Sequence, residues 1–350
     1  MDQGGKDSPR ILDKELGRAR VRVGFNPAEM GMAPLNLDVL VPGHPVPADF
    51  FLPIYRKESG GIEMTLAASK GEPYRAAWRD RLKKTNQTRV FIRMEDGEAI
   101  NQYFDRHASE IVDNPNTPLS KKRRLLKEMA NLNLRVLFGG DLSPRALDSS
   151  VKRAHETVSR LAREAQILTR LSEVVSADYS VYSHSVNVCM LAMAFGRYMG
   201  FPEARVQTLG VGGMLHDVGW ARLPQGLLDN PGPYSPKEEA VIRRHPELGY
   251  KMLLPIGAVP YDVLMIVRHH HENADGSGYP ARLPADKTPY LARVIKIADV
   301  YDRLTTQSAR QEALSPREAA AELLEGMSDQ FGSDLTLPFV RFLGSPAFTQ

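Results

Sequence analysis

The spacing of apolar residues changes character along this chain. Between Leu35 and Met94 they fall in short runs, Leu37 to Val41, Phe50 to Tyr55, Ile62 to Ala67 and Arg89 to Met94, punctuated by Pro42-Gly43 and Gly60-Gly61. Runs of this length bounded by Pro and Gly predict strands. Trp78 and Leu82, four apart within Tyr74 to Lys84, add a short amphipathic helix before the fourth run. Further on the period becomes helical. Val151, His155, Val158, Leu161, Ala165, Leu168, Leu171 and Val175 recur every three or four residues and make one apolar stripe, in which His155 reads as packed. After Ser176 strand signals nearly vanish, and helices are predicted over 181–200, 203–219, 236–254, 260–272, 289–306 and 315–326.

These patterns describe an α+β two-domain chain. Residues 1–33 read as an N-terminal tail, 34–105 as a small α/β domain with a regulatory or sensory role, 106–175 as a helical linker and 176–350 as an all-α bundle. The basic run Lys121 to Arg124 opens a helix and reads as a solvated face.

Charge and cysteine content narrow the chemistry. Lys plus Arg number 45 against 42 Asp plus Glu, a net charge of +3 over 350 residues, which is no footprint for a nucleic acid polymer. The longest uncharged apolar stretch, Val188 to Gly196, is about half of the ~20 residues that span a bilayer, so no membrane insertion is expected. The opening MDQGGKDSPR has no apolar core of a secretory signal, and a cytoplasmic location is expected. The single cysteine, Cys189, excludes a thiolate cluster, so any metal must be held by nitrogen and oxygen.

Those ligand types are concentrated in the helical half, where six of the nine histidines lie between His184 and His271. His216-Asp217 ends an apolar helix and is followed by Gly219. His184, His245, the pair His270-His271 and Asp299 sit on other predicted helices. Five imidazoles and two carboxylates spread over one bundle suit iron, manganese, zinc or cobalt, and a carboxylate can bridge two ions. Any one of these histidines could be an ordinary core or surface residue; the set is poorly explained that way.

The segments carrying these residues resemble the HD-GYP domain, the signalling branch of the HD metal-dependent phosphohydrolases. They are His184-Ser185-Val186-Asn187-Val188, Leu215-His216-Asp217-Val218-Gly219, Arg244-His245-Pro246-Glu247-Leu248-Gly249, His270-His271-Glu272, Asp275-Gly276-Ser277-Gly278-Tyr279-Pro280 and Ile297-Ala298-Asp299-Val300-Tyr301-Asp302. The resemblance implies an all-α HD-GYP bundle that hydrolyses cyclic di-GMP to pGpG or GMP through a binuclear metal centre and bridging hydroxide, iron being the first choice of metal and manganese the next. It places His184, His216, Asp217 and Asp299 around one ion. Asp217 then bridges to a second ion held by His245, His270 and His271, with His216 and Asp217 as the catalytic pair. His269 is left as a neighbour. Gly278, Tyr279 and Pro280 resemble the loop that names the family, which is implicated in contacts with GGDEF-domain proteins and whose tyrosine ring can stack a guanine; the alternative is a rigid Gly-Pro turn.

Four positions depart from the family pattern. Trp220 stands where lysine usually follows His-Asp-x-Gly, and a cation lost beside developing phosphate charge weakens catalysis. Ser180 replaces a glutamate found in members with three metals, so two ions are expected here. The segment Arg303 to Gln311 replaces Ala-Leu-Thr-Ser and a basic stretch, leaving Arg310 as the nearby cation. Arg282 replaces a glycine, and Arg222, Arg268 and Arg282 are candidate substitute phosphate partners. The substrate contacts expected are therefore Gly278, Tyr279, Pro280, Arg310 and Trp220. The alternative is a catalytically weak HD-GYP module that binds metal and nucleotide and serves as a scaffold, for example for a GGDEF-domain protein. A third reading, another phosphoester substrate, is opposed by the Gly-Tyr-Pro loop, and dimerisation through the long helix is a further expectation.

Overall fold

The alternating runs near the N-terminus pair into a four-stranded antiparallel sheet of strand order β1-β4-β2-β3, formed by β1 (Met32–Asn36), β2 (Phe50–Arg56), β3 (Gly61–Ala68) and β4 (Arg89–Arg93). The computed structural model describes residues 30–56, 61–84, 89–139, 141–163, 168, 180–228, 232–308 and 312–349. The first strand comes earlier than the Leu37 to Val41 run suggested. Asn36 Oδ1 accepts the Asp38 amide at 2.9 Å and winds Leu37–Val39 into one 3-10 turn, whose Leu37 and Val39 are buried as strand residues would be. Because every pairing is antiparallel, this is a sheet with attached helices and not the α/β layout expected. Helix α1 (Ala76–Lys84) buries Trp78 and Leu82, and α2 (Gly97–Val112) buries Ile100, Tyr103 and Phe104.

Helix α3 (Leu119–Gly139) follows, and the chain divides within it into two compact units, Met1–Val136 and Leu137–Gln350. The expected linker over 106–175 is thus no separate element. In the first unit the basic run at the start of α3 is partly committed, Arg124 pairing with Asp38 and Lys122 being buried.

The second unit opens on α4 (Pro144–Arg163), which buries Leu147, Val151, Ala154, Val158 and Leu161 on one stripe. His155 is half-buried in that stripe and burial lowers its pKa. Of the stripe beyond Arg163 only Leu168 is among the described residues. Helix α5 (Val181–Tyr198) is buried on all sides from Ser183 to Gly196, as suits a sequence apolar all round. Against it pack α6 (Glu203–Leu215) and α11 (Tyr290–Thr305), and α10 (Tyr261–His269) packs on those two. Short helices α7 (Gln225–Leu228), α8 (Pro236–Ile242) and α9 (His245–Leu253) fill the interval.

The predicted helix 236–254 is broken at Arg243-Arg244, because Pro246 has no N–H to give the carbonyl of Ile242 and α9 starts afresh with that proline in its first turn. The one predicted over 203–219 stops at Leu215 and gives way to a 3-10 turn, Val218–Arg222. Helices α12 (Pro316–Ala321), α13 (Ser328–Phe331), α14 (Ser333–Leu343) and α15 (Pro346–Thr349) close the chain, the last three unforeseen in the sequence. Phe339 and Phe342 of α14 meet Phe195 at ring-centre distances of 4.9 and 5.6 Å and hold α14 on α5. No helix among the described residues is long and apolar enough to cross a membrane.

Candidate metal centre

Helix ends deliver most of the site. The last carbonyls of an α-helix have no amide partner within it, and three imidazoles take them here. His216, capping α6, donates its Nδ1–H to Gly213 O at 2.8 Å. His270, capping α10, donates to Val267 O at 2.9 Å. His245 donates at 2.8 Å to Ile242 O, the carbonyl that Pro246 cannot serve. A carbonyl can only accept, so Nδ1 carries the proton in all three rings and each Nε2 is left with a lone pair.

Those lone pairs converge on Asp217, which follows His216 and is only 3% exposed. Its Oδ1 lies 3.1 Å from His245 Nε2 and 3.7 Å from His270 Nε2, while its Oδ2 lies 3.3 Å from His216 Nε2 and 3.9 Å from His184 Nε2. His184, in the first turn of α5, points Nε2 at Asp299 Oδ1, 2.9 Å away, and donates Nδ1–H to Asp302 Oδ2 at 2.8 Å. Asp302 Oδ1 accepts Asn187 Nδ2 at 2.9 Å, and the whole carboxylate is buried.

Seven side chains expected from the sequence are thereby brought together, in two groups whose donor atoms lie within 4.8 Å of one another: Asp217, His245, His270 and His271, and His184, His216 and Asp299. The donor set suits a cation. His245 Nε2 and His270 Nε2 face each other at 3.2 Å with both protons already held by carbonyls, which sets lone pair against lone pair unless a positive charge lies between. His216 Nε2 and His271 Nε2 are buried and make no hydrogen bond. Protonation states favour the same use. Burial pushes the His270 pKa down to about 4 and, with the neighbouring imidazoles, that of His271 well below its ordinary value. Burial alone would raise Asp299, but the Arg303 guanidinium beside it holds that carboxyl well below the usual carboxylate range. Neutral imidazoles and ionised carboxylates are what a divalent ion requires.

His271 leads into the Gly-Tyr-Pro loop, and its neighbour fixes that loop. The buried Glu272 accepts the amides of Ala281 at 2.7 Å and Leu283 at 3.0 Å, tying the far side of the loop to the end of α10. Gly278 passes so close to the backbone of His271, Glu272 and Asn273 that no β-carbon fits. Tyr279 then stacks on His271, ring centres 4.6 Å apart and planes 18° from parallel, with Arg243 over its ring at 5.0 Å.

Other expected residues are placed differently. Trp220 is 8% exposed, packs with Leu223, Leu227 and Ile242, and stacks on the candidate ligand His245 at 5.5 Å. Arg310 lies outside the described residues. Arg268 pairs with Glu247 at 3.0 Å and covers Tyr250, so its charge is committed elsewhere. Arg282 holds a left-handed φ of 56°, a conformation in which glycine carries no side-chain penalty. Ser180 caps α5, its hydroxyl accepting the Ser183 amide. His269 turns to Glu272, 3.5 Å away, and stays out of both ligand groups. A third group among the described residues, His44, His107 and Glu110, is in the first unit and accounted for by the His107–Glu110 hydrogen bond of 2.6 Å.

Asp302, Asn187 and Glu272 were not singled out as site residues by sequence. Asp302 and Asn187 were within reach, since each lies three residues along its helix from Asp299 or His184 and so shares a face. For Glu272 no spacing gave a signal.

A helical bundle with imidazoles and carboxylates from separate helices gathered at one buried centre defines a class of metal-binding domain, and comparison places the chain within it. The HD domain family matches residues 152–335, just over half of the sequence. A cyclic di-GMP phosphodiesterase of Pseudomonas aeruginosa is 33% identical over 189 residues, 54% of this chain and 45% of that protein. A cyclic di-GMP phosphodiesterase response regulator of Xanthomonas campestris pv. campestris is 30% identical over 216 residues, 57% of this chain and 56% of that one. Among solved structures, an HDGYP protein from Bdellovibrio bacteriovorus superposes with a TM-score of 0.63 at 19% identity, over 90% of this chain and all of that one, a likeness of fold. The chain belongs to the HD domain family. It spans about half the length of the curated relatives it matches.

Proposed function

We propose that this chain is a metal-dependent phosphodiesterase that cleaves cyclic di-GMP, with His184, His216, Asp217 and Asp299 around one divalent ion and Asp217, His245, His270 and His271 around a second. The observation that carries the reading is the position of Asp217, whose two carboxylate oxygens each face imidazole nitrogens of a different group. When bound, the ions would activate a water and offset the charge that develops on the scissile phosphate. The chain's own residues do the rest. Carbonyl-fixed tautomers keep the Nε2 atoms turned inward, and the walls formed by Trp220 and α5 keep bulk water from the ligands. Tyr279 lies between His271 and Arg243, and a guanine base would stack on it by displacing the Arg243 guanidinium from its outer face.

Two relatives named as cyclic di-GMP phosphodiesterases support the choice of substrate. The test is to load the protein with iron under reducing conditions, or with manganese, add cyclic di-GMP and resolve the products. Appearance of pGpG or GMP, abolished in His216→Ala, is the expected result. Metal uptake with tight nucleotide binding and no product would favour the second reading, a scaffold that binds without turnover, for which the indole at residue 220 is the argument. A regulatory role for the sheet-containing unit belongs to the same proposal.

A further inference from the structure

We infer that Arg303 is the substrate-positioning cation of this site, presenting its guanidinium to a phosphodiester oxygen from the carboxylate edge of the metal centre. The inference rests on the phosphodiesterase reading above. It starts from helical spacing: Arg303 lies four residues after Asp299 on α11, so the two side chains occupy one face a turn apart. Its Nε donates to Asp299 Oδ1 at 2.7 Å, and its Nη2 lies 3.9 Å from Asp217 Oδ2. Among the described residues it is the one arginine that faces carboxylates of both ligand groups.

The exposure gradient gives the direction. Asp299 and Asp217 are 2% and 3% exposed, whereas the Arg303 side chain is 38% exposed, so the guanidinium stands at the boundary between buried ligands and water. A phosphodiester approaching the ligands from solvent meets it there. The other cations do not face the ligand carboxylates: Arg268 pairs with Glu247, Arg243 pairs with Glu239 at 2.7 Å and lies over the Tyr279 ring, and Lys296 is buried, with a pKa lowered to about 8. Residue 220, next after the His216 to Gly219 turn, is an apolar wall. A planar guanidinium held by one edge on a carboxylate is pre-oriented for paired hydrogen bonds to phosphate, which a flexible lysine is not.

The test uses the full chain with two probes, cyclic di-GMP and inorganic phosphate, and three proteins, wild type, Arg303→Ala and Arg303→Lys. Metal content is measured for each, and circular dichroism checks that each is folded. Arg303→Ala should keep the wild-type number of ions, bind either probe about 10- to 100-fold more weakly, and lose kcat/KM in the same proportion. Arg303→Lys should recover part of that loss, and added guanidinium ion should rescue Arg303→Ala but not wild type. A fully metallated Arg303→Ala with wild-type affinity for both probes overturns the inference. So does a variant whose weakened binding merely follows loss of metal, since Arg303 would then only orient Asp299. If wild type neither binds nor cleaves cyclic di-GMP, the substrate reading falls, and the inorganic phosphate arm still decides the role of Arg303.

Discussion

Removing the carboxylate of Asp302 should weaken one half of the metal centre and spare the other. Asp302 touches neither expected ion position, yet it accepts His184 Nδ1–H at 2.8 Å and Asn187 Nδ2 at 2.9 Å in full burial. His184 is thus an imidazole whose tautomer is set by a side chain, in contrast to the three set by helix carbonyls. In Asp302→Ala, His184 is free to rotate or to shift its proton, and loss of such an outer partner lowers metal affinity about 10- to 100-fold, or about 1.4–2.8 kcal/mol. Asp302→Asn offers a single oxygen to two donors, so one faces an amide NH2, at a stability cost of about 1–3 kcal/mol. Titration against a chromophoric chelator resolves two binding steps. Only the step that depends on His216→Ala and Asp299→Ala should move in Asp302→Ala, while the step that depends on His245→Ala stays at its wild-type value. Equal weakening of both steps, or of neither, would refute the argument that tautomer control is local.

Three further outcomes are expected. Gly219→Ala sets a β-carbon against the backbone of His245 and Gly249, which cannot yield without shifting α9, so thermal melting should fall by roughly 5–10 °C, about 2–3 kcal/mol, with loss of ions from the His245 group. Arg282→Gly relieves a left-handed residue and should leave melting unchanged or raise it by up to about 1 kcal/mol; a clear loss would mean that the Arg282 side chain holds the loop. In chelated protein, His270 has a folded pKa of about 4 against about 6.5 unfolded, so between those values the unfolded chain binds more protons and stability drops as pH falls from 6.5 to 4. A melting temperature flat across that interval would contradict the burial described for His270.

The helical half was legible because its signals are local. The apolar period, the prolines at 236 and 316 that open helices, and the capping pairs Ser235–Glu238 and Ser315–Glu318 all act within a turn of chain. The first strand was misplaced for a related reason, since Leu37 and Val39 alternate like a strand while a hydrogen bond from the Asp38 amide to Asn36 Oδ1 winds them into a turn. The seven candidate ligands stood out as residue types with a known order, but their geometry was not readable: nothing along the chain says that Asp217 faces four imidazoles. Residues that act through others stayed hidden, because Glu272 makes its bonds 9 and 11 residues ahead, to backbone that carries no side-chain signature. Arg303 was noticed as a departure, and only the turn of α11 brought it onto Asp299.

The main-chain carbonyls that hold His216, His245 and His270 bear on how such a site can change over time. A carbonyl cannot be exchanged by a point mutation, so these three rings keep their orientation through any drift in the surrounding side chains, provided the helix ends survive. His184 depends instead on Asp302, which a single base change can remove. On the proposed function, erosion would therefore have an uneven geography: losing Asp302 would loosen His184, while His245 and His270 would stay turned toward Asp217 on their carbonyls. An enzyme and a scaffold that binds without turnover would then be a few outer-sphere substitutions apart.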